Sequence, residues 1–224
     1  MTATLPLFPL GTVLFPGLVL PLHVFEDRYR ALVRHLMNLP DGTPREFGVI
    51  AIHRGWEVEQ RATTSLTLYE IGCSAQLRQV TEHPDGQFDL TTVGHRRFII
   101  RAIDGERAPY LVAEVEWLEE RVGNPTEVDR LTPTVLDLFQ RYLRLIRPAQ
   151  LGEQVPDDTT VLSHLIAATA ALALGERQAL LAAPDTAARL RAERALLSRE
   201  VALLGQIRAV PVPLSELAVA NSPN

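Results

Sequence analysis

The sequence predicts an α+β protein, strands in its first half and helices in its second, because the spacing of apolar residues changes along the chain. From Leu66 to Leu77 and from Tyr110 to Trp117, apolar side chains take alternate positions, the period of a half-buried strand. Beyond Asn124 they recur every third or fourth residue, the period of an amphipathic helix. Turn-forming residues punctuate the runs, Pro84-Asp85-Gly86 in the first half and Pro184-Asp185 in the second.

The chain opens on Leu5 to Phe25, a stretch with no formally charged side chain. It holds Pro6, Pro9, Pro16 and Pro21 with Gly11 and Gly17 between them. Each interior proline costs a helix about 3 kcal/mol, so a membrane-spanning helix is not expected here. A secretory leader is not expected either, for want of a basic start and a small-residue cleavage site. Short buried strands fit instead, Leu5 to Leu10 and Leu18 to Val24. Glu26-Asp27-Arg28 then opens a helix whose apolar side carries Tyr29, Leu32, Val33 and Leu36. Phe47 to His53 is a continuous apolar run, the mark of a central strand, and the polar stretch Arg54 to Thr64 reads as a loop. In the next strand Tyr69, Ile71, Cys73, Ala75 and Leu77 share a side. Phe88 to Ile103 returns as strand after the proline-glycine turn, and Tyr110 to Trp117 follows with Leu111, Ala113, Val115 and Trp117 facing one way.

Asn124-Pro125-Thr126-Glu127 is a helix start, with a capping residue, proline in the first turn and an acid at the capping-box position. The helix is expected to reach about Leu145, with Val128, Leu131, Val135, Leu138, Phe139 and Tyr142 inward. Asp158 can cap a second helix bearing Val161, Leu162, Leu165, Ile166, Thr169 and Leu172. A short helix ends near Leu181, and a longer one after Asp185 carries the stripe Leu190, Leu197, Val201 and Leu204. The expected organisation is a β-rich unit over residues 1–120, a helical unit over 121–210 and a loose tail over 211–224.

Composition narrows the chemistry. A 224-residue chain with 46% hydrophobic residues is large enough to bury a core, and its net charge of -5 disfavours a phosphate-backbone partner. One cysteine excludes an internal disulfide and a multi-cysteine zinc site, as in a reducing cytoplasm. All 22 basic residues are arginine. The absence of lysine fits genomic base composition; escape from lysine-directed tagging is the sharper alternative.

Three stretches carry a family resemblance. The opening segment ends in Pro21-Leu-His-Val-Phe-Glu-Asp-Arg-Tyr-Arg-Ala-Leu-Val33. Tyr69-Glu-Ile-Gly-Cys73, His83-Pro-Asp-Gly86 and Val93-Gly-His-Arg-Arg-Phe-Ile-Ile100 follow, the last containing a G-x-x-R-F pattern. Gln178 to Leu190 reads Q-x-L-L-x-x-x-D-x-x-x-R-L. In this order and at similar spacing, they resemble the N-terminal, substrate-binding domain of the ATP-dependent Lon proteases. The likeness runs from about Leu5 to Leu204. It implies a PUA-like β pseudobarrel followed by a C-terminal helical bundle, and a role in engaging unfolded or apolar polypeptide segments. Lon proteases add an ATPase and a serine-lysine peptidase. A Walker A loop and a serine-lysine dyad each need a lysine, and arginine does not deprotonate to replace it. A stand-alone substrate-binding domain, non-enzymatic and cytoplasmic, is therefore expected.

Candidate sites are few. His23, Glu26 and Arg28 sit at a strand-to-helix junction, where Arg28 is expected to pair with Glu26 or satisfy carbonyls. Of His95, Arg96 and Arg97, a structural arginine inside the barrel is expected, not a nucleic-acid contact. Cys73 is expected to be a buried, unreactive thiol. Asp157-Asp158 reads as a loop and helix cap. The six histidines show no metal-type spacing with carboxylates, and Gly72-Cys-Ser-Ala-Gln76 lacks the second glycine of a nucleophile elbow. No catalytic residue, cofactor or metal is expected. The tentative peptide-binding surface is Leu14, Phe15, Pro16 and Leu18, apolar residues beside a proline-interrupted strand edge where an extended peptide could add. Core packing of Phe15 and Leu18 is the competing reading. Expected partners are apolar polypeptide segments and a separate ATP-dependent protease, the chain itself being a monomer or weak dimer. An RNA-binding PUA-like module and an enzyme acting between the two units are the alternatives.

Overall fold

A computed structural model describes residues 2–54, 67–146 and 156–209. Most of the loop expected from Arg54 to Thr64, and the tail 211–224, lie outside the described residues. In chain order the elements are β1 (Thr2–Leu10), β2 (Val19–Val24), α1 (Asp27–Met37), β3 (Glu46–Arg54) and β4 (Thr67–Leu68). Then come β5 (Ile71–Glu82), β6 (Phe88–Asp104) and β7 (Val112–Trp117), followed by α2 (Pro125–Ile146), α3 (Thr159–Thr169), α4 (Leu174–Leu181) and α5 (Thr186–Ala209). The α+β class is as the periodicity predicts, with α1 the one helix set among the described strands and α2 to α5 following them.

Strand β1 closes the sheet on itself because its two halves have different partners. Thr2 to Pro6 lie antiparallel to β7, whereas Leu7 to Leu10 lie parallel to β3. Since β3, β5, β6 and β7 are already paired in that order, the second contact completes a ring. Edges disappear where a sheet closes, and prolines 6 and 9 are tolerated because each half of β1 is paired on one side. Strand β6 is the spine. Its first part runs between β2 and β5, its last part between β5 and β7.

Two cores fill the barrel. In one, Phe8, Phe15, Phe47 and Phe88 meet the buried face of α1, and Phe8 stacks on Tyr29 with ring centroids 4.0 Å apart. That face is Tyr29, Leu32, Val33 and Leu36, as the helical spacing predicts. The other core holds Leu5, Leu7, Ile50, Phe98, Ala113 and Val115. Phe98 is fully buried against Gly48 and Gly72, and a Cβ at Gly72 would come within 2.5 Å of its ring.

The helices form a third core from Leu131, Val135, Phe139, Tyr142, Ile166 and Leu190. They do not stand apart from the barrel: Ala167, Leu180 and Leu181 are buried in the same cluster as Phe8 and Phe15. Asp158 caps α3 by accepting from the Thr160 and Val161 amides at 2.8 and 3.0 Å. The inward face of α3 differs from the expected one. Val161 is 47% exposed, while Ser163 and His164 are buried beside Leu162 and Ile166. His164 turns inward to the buried Arg189 and Ser163 returns its hydroxyl to the Thr160 carbonyl one turn back, so this face packs inward and Val161 faces out.

Candidate functional site

The surface expected at Leu14, Phe15, Pro16 and Leu18 is not presented as such. Leu14 and Phe15 are buried, and Pro16 and Leu18 are half-buried. The cause is Gly94 on β6. The Phe15 carbonyl oxygen lies 2.1 Å from where a Gly94 Cβ would stand, and the Gly17 amide donates to the Gly94 carbonyl at 2.8 Å. The Gly94 amide donates in turn to the Leu18 carbonyl at 2.8 Å. This clasp lays the segment on β6 and turns Phe15 inward, toward His164 at 6.1 Å. Core packing wins over exposure for the first two residues.

An apolar cleft lies elsewhere, at the mouth of the second barrel core. Leu68, Tyr69, Ile100, Ile103 and Leu111 line about 470 Å³ of space, with Glu70 at its rim. Ile103 is 46% exposed there. Among the described residues β4 pairs only with β3, so the cleft borders a strand edge with open backbone groups. The Ile100 amide donates to the Glu70 carbonyl and the Tyr69 amide to the Ala51 carbonyl, which fixes the two walls. An apolar trough beside an open edge suits an extended chain with apolar side chains. Its residues come from three separated stretches, and no short motif marks them.

The junction of barrel and helices is polar and closed. Arg97 is 2% exposed and donates to Glu120, to the Leu181 and Ala183 carbonyls at 2.8 and 2.7 Å, and to the Glu119 carbonyl. Glu120 also meets His164 and the fully buried Arg189, each at 3.4 Å. Burial pushes the Glu120 carboxyl up, yet the His164 hydrogen bond and the Arg97 charge reverse this and hold it at about 2. Burial lowers His164, so its imidazole is neutral, accepting from Arg189 and donating to Glu120. Convergent titratable groups are present here, but Arg97 directs its donors at fixed internal acceptors. This is the arrangement of a joint, not of a pocket.

The other singled-out residues fall as follows. Arg28 pairs with Glu26 at 2.8 Å, as expected. Arg96 lies 3.8 Å over the Trp117 ring and 3.5 Å from Glu46, and His95 contacts Gln76, so the basic triplet is occupied internally. Cys73 is fully buried, and burial pushes its thiol far up, away from the reactive thiolate. His23 departs from its sequence neighbours. It joins Asp89 and His83, a histidine-carboxylate cluster that linear spacing did not disclose, since His23 and Asp89 are 66 residues apart. The hydrogen bond to Asp89, then that to Gln87, raises His23; His23 and then His83 hold Asp89 low.

Comparison with known proteins decides the family. The model of the ATP-dependent protease La (LON) substrate-binding domain matches residues 4–199. The chain belongs to the Lon substrate-binding domain family. Lon protease 2 of Herpetosiphon aurantiacus is 29% identical over 209 residues, 91% of this chain and 24% of the relative. Lon protease 2 of Myxococcus xanthus is 30% identical over 206 residues, 89% of this chain and 24% of the relative. The chain thus spans about a quarter of the length of these curated relatives. Among solved structures, a Lon N-terminal domain protein from Xanthomonas campestris superposes with a TM-score of 0.61 at 26% identity, covering 84% of this chain and 95% of that one. The N-terminal domain of Mycobacterium avium complex Lon protease gives 0.63 at 18% identity, covering 89% and 98%, a likeness of fold alone.

The Lon-type motifs acquire physical reasons in this fold. In G-x-x-R-F, Gly94 admits the Phe15 carbonyl, Arg97 holds two carbonyls at the end of α4, and Phe98 fills the second core. In the second motif Gln178 donates to the Ile71 carbonyl at 2.7 Å, Leu180 and Leu181 join the barrel core, and Asp185 caps α5 through the Ala188 amide. Arg189 completes the joint with Glu120. These Lon-family residues build the scaffold that presents the cleft. No helix among the described residues is long and apolar enough to cross a membrane.

Proposed function

We propose that this chain is a non-enzymatic polypeptide-binding module that takes unfolded or apolar segments in the cleft between β4 and the β6–β7 end. The observation that carries this is the apolar trough of Leu68, Ile100, Ile103 and Leu111 beside β4, which pairs only with β3 among the described residues. Backbone pairing along the edge would supply sequence-independent affinity, and the aliphatic walls a loose preference for apolar side chains. The family name and the Lon relatives support the same substrate class. Among the described residues the thiol is buried and the buried ionic groups hold the joint, and the chain has no lysine, which supports a non-enzymatic reading. Bound segments would be delivered to a separate ATP-dependent protease in the cytoplasm.

The test is a peptide array probed with the purified chain and with Ile103→Asp, which places a charge in the cleft at an already exposed position. Apolar peptides bind the parent and bind the variant at least tenfold more weakly, a difference of about 1.4 kcal/mol. An unchanged array profile for Ile103→Asp would place binding elsewhere. Pull-down from native lysate then distinguishes an ATP-dependent protease partner from salt-sensitive retention of RNA, which would favour the nucleic-acid alternative.

A further inference from the structure

Three side chains of metal-ligating type converge where β2 pairs with the start of β6, and none of them lines the cleft. His23 comes from β2 and Asp89 stands directly opposite it on β6, while His83 belongs to the turn between β5 and β6. Their candidate ligand atoms all lie within 4.8 Å of one another. His23 Nδ1 is 2.7 Å from Asp89 Oδ1, and His83 Nε2 is 2.7 Å from Asp89 Oδ2. Gln87 Oε1 stands 2.7 Å from His23 Nε2, the other ring nitrogen.

Backbone structure, not chance rotamers, brings these groups together. The β2–β6 register sets His23 against Asp89. The turn is fixed by the His83 amide donating to the Gln87 carbonyl at 2.9 Å, and by Gly86 at φ 76°, a conformation that favours glycine. Asp85 accepts from the Gln87 amide at 3.1 Å, which orders the residue that faces His23. His23 thus meets Gln87 through one ring nitrogen and the Asp89 carboxylate through the other.

We propose that His23, His83 and Asp89 bind one divalent transition-metal ion of the zinc class, with Gln87 orienting the His23 ring. Two imidazoles and a carboxylate select zinc-type ions over calcium or magnesium, which prefer all-oxygen shells. Zinc holds nitrogen and oxygen at about 2.0–2.2 Å, which spreads tetrahedral ligands to about 3.3 Å, so each contact opens by about half an ångström. Side chains with 55% exposure at His23 and 54% at Asp89 can move that far and admit an ion without unfolding. Water takes the remaining position. The bound ion ties edge strand β2 to the β5–β6 turn, and so closes the side of the sheet opposite its paired edge.

The experiment is zinc titration of the full, untagged chain by calorimetry, with cobalt(II) absorption as a second readout of coordination geometry. One zinc binds per chain, and cobalt gives the visible bands of a low-coordinate nitrogen-oxygen site. His23→Ala and His83→Ala each weaken binding at least tenfold, and Gln87→Ala weakens it by about tenfold through loss of ring orientation. Circular dichroism keeps these exposed variants comparable as folded proteins. The proposal is overturned if no stoichiometric binding occurs, or if it persists unchanged in the His23→Ala, His83→Ala double variant. Peptide binding by the Ile103→Asp variant is a separate readout, so failure of one reading leaves the other standing.

Discussion

At position 193 a carboxyl group sits on the buried stripe of α5 between Leu190 and Leu197, 1% exposed, with neither oxygen hydrogen-bonded among the described residues. Burial raises it well above the carboxylate range, and the nearby Arg189 charge only partly opposes this. An unsatisfied buried polar group costs about 1–3 kcal/mol, so Glu193→Leu is expected to stabilise the protein by about 1–2 kcal/mol in urea unfolding. A loss of stability would mean that Glu193 has a partner that balances its burial. The stripe itself is legible from Leu190 and Leu197, but the glutamate between them masks its continuity. The same masking hides the inward side of α3. Ser163 and His164 read as solvent-facing, yet Ser163 returns its hydroxyl to the Thr160 carbonyl of its own helix and His164 meets the buried Arg189 of α5. Arg97 is the counter-example. A charged residue inside an apolar strand pattern marks itself as structural, and the carbonyls it holds are the detail that sequence omits.

Helix α2 runs from Pro125 to Ile146 with Pro133 in its interior and exposed. Proline there removes a helical hydrogen bond and crowds the preceding turn. Its buried face nevertheless follows the expected spacing, Val128, Leu131, Val135, Phe139 and Tyr142, because tertiary packing outweighs one local cost. Pro133→Ala should raise the midpoint of thermal unfolding, by about 1–3 kcal/mol of added stability. No change would show that the helix is already locally open at that turn. Elements of this kind are legible because their faces repeat. The cleft is not, since Leu68, Ile103 and Leu111 meet only once the sheet has closed, and nothing in their local sequence announces it. The His23–Asp89 pair fails to show for the same reason, being set by strand register alone.

For the molecule as a whole, the joint sets the response to acid. Glu120 and His164 both titrate below their ordinary values when folded. For each, the stabilising contribution is complete above the unfolded pKa and is lost as pH falls through the folded one. The loss begins below about 6.5 for His164 and, for Glu120, extends from about 4.3 down to about 2. With a third of Glu120 left to solvent, we expect about 2 kcal/mol from it at neutral pH. Glu120→Gln should therefore cost about 2 kcal/mol at pH 7 and little near pH 2, measured by urea unfolding across that range. An equal cost at both ends would place the residue's contribution in packing.

The split pairing of β1 also governs how the chain can be made. Thr2 pairs with Glu116 and Leu10 with Ala51, so the first strand must wait for partners synthesised long after it. At about 5–20 residues per second, the seam to β7 stays open for roughly 6–23 s on a ribosome. Within that interval Leu7 to Leu10 can meet β3 first, whereas Thr2 to Pro6 wait for β7 and β2 waits for β6. The prolines of these strands then serve a second purpose, since a strand that cannot offer a full row of donors is a poor template for neighbouring nascent chains. Vectorial synthesis thus leaves part of a charge-free stretch waiting for its partners, and the residues that break its backbone ladder guard it meanwhile.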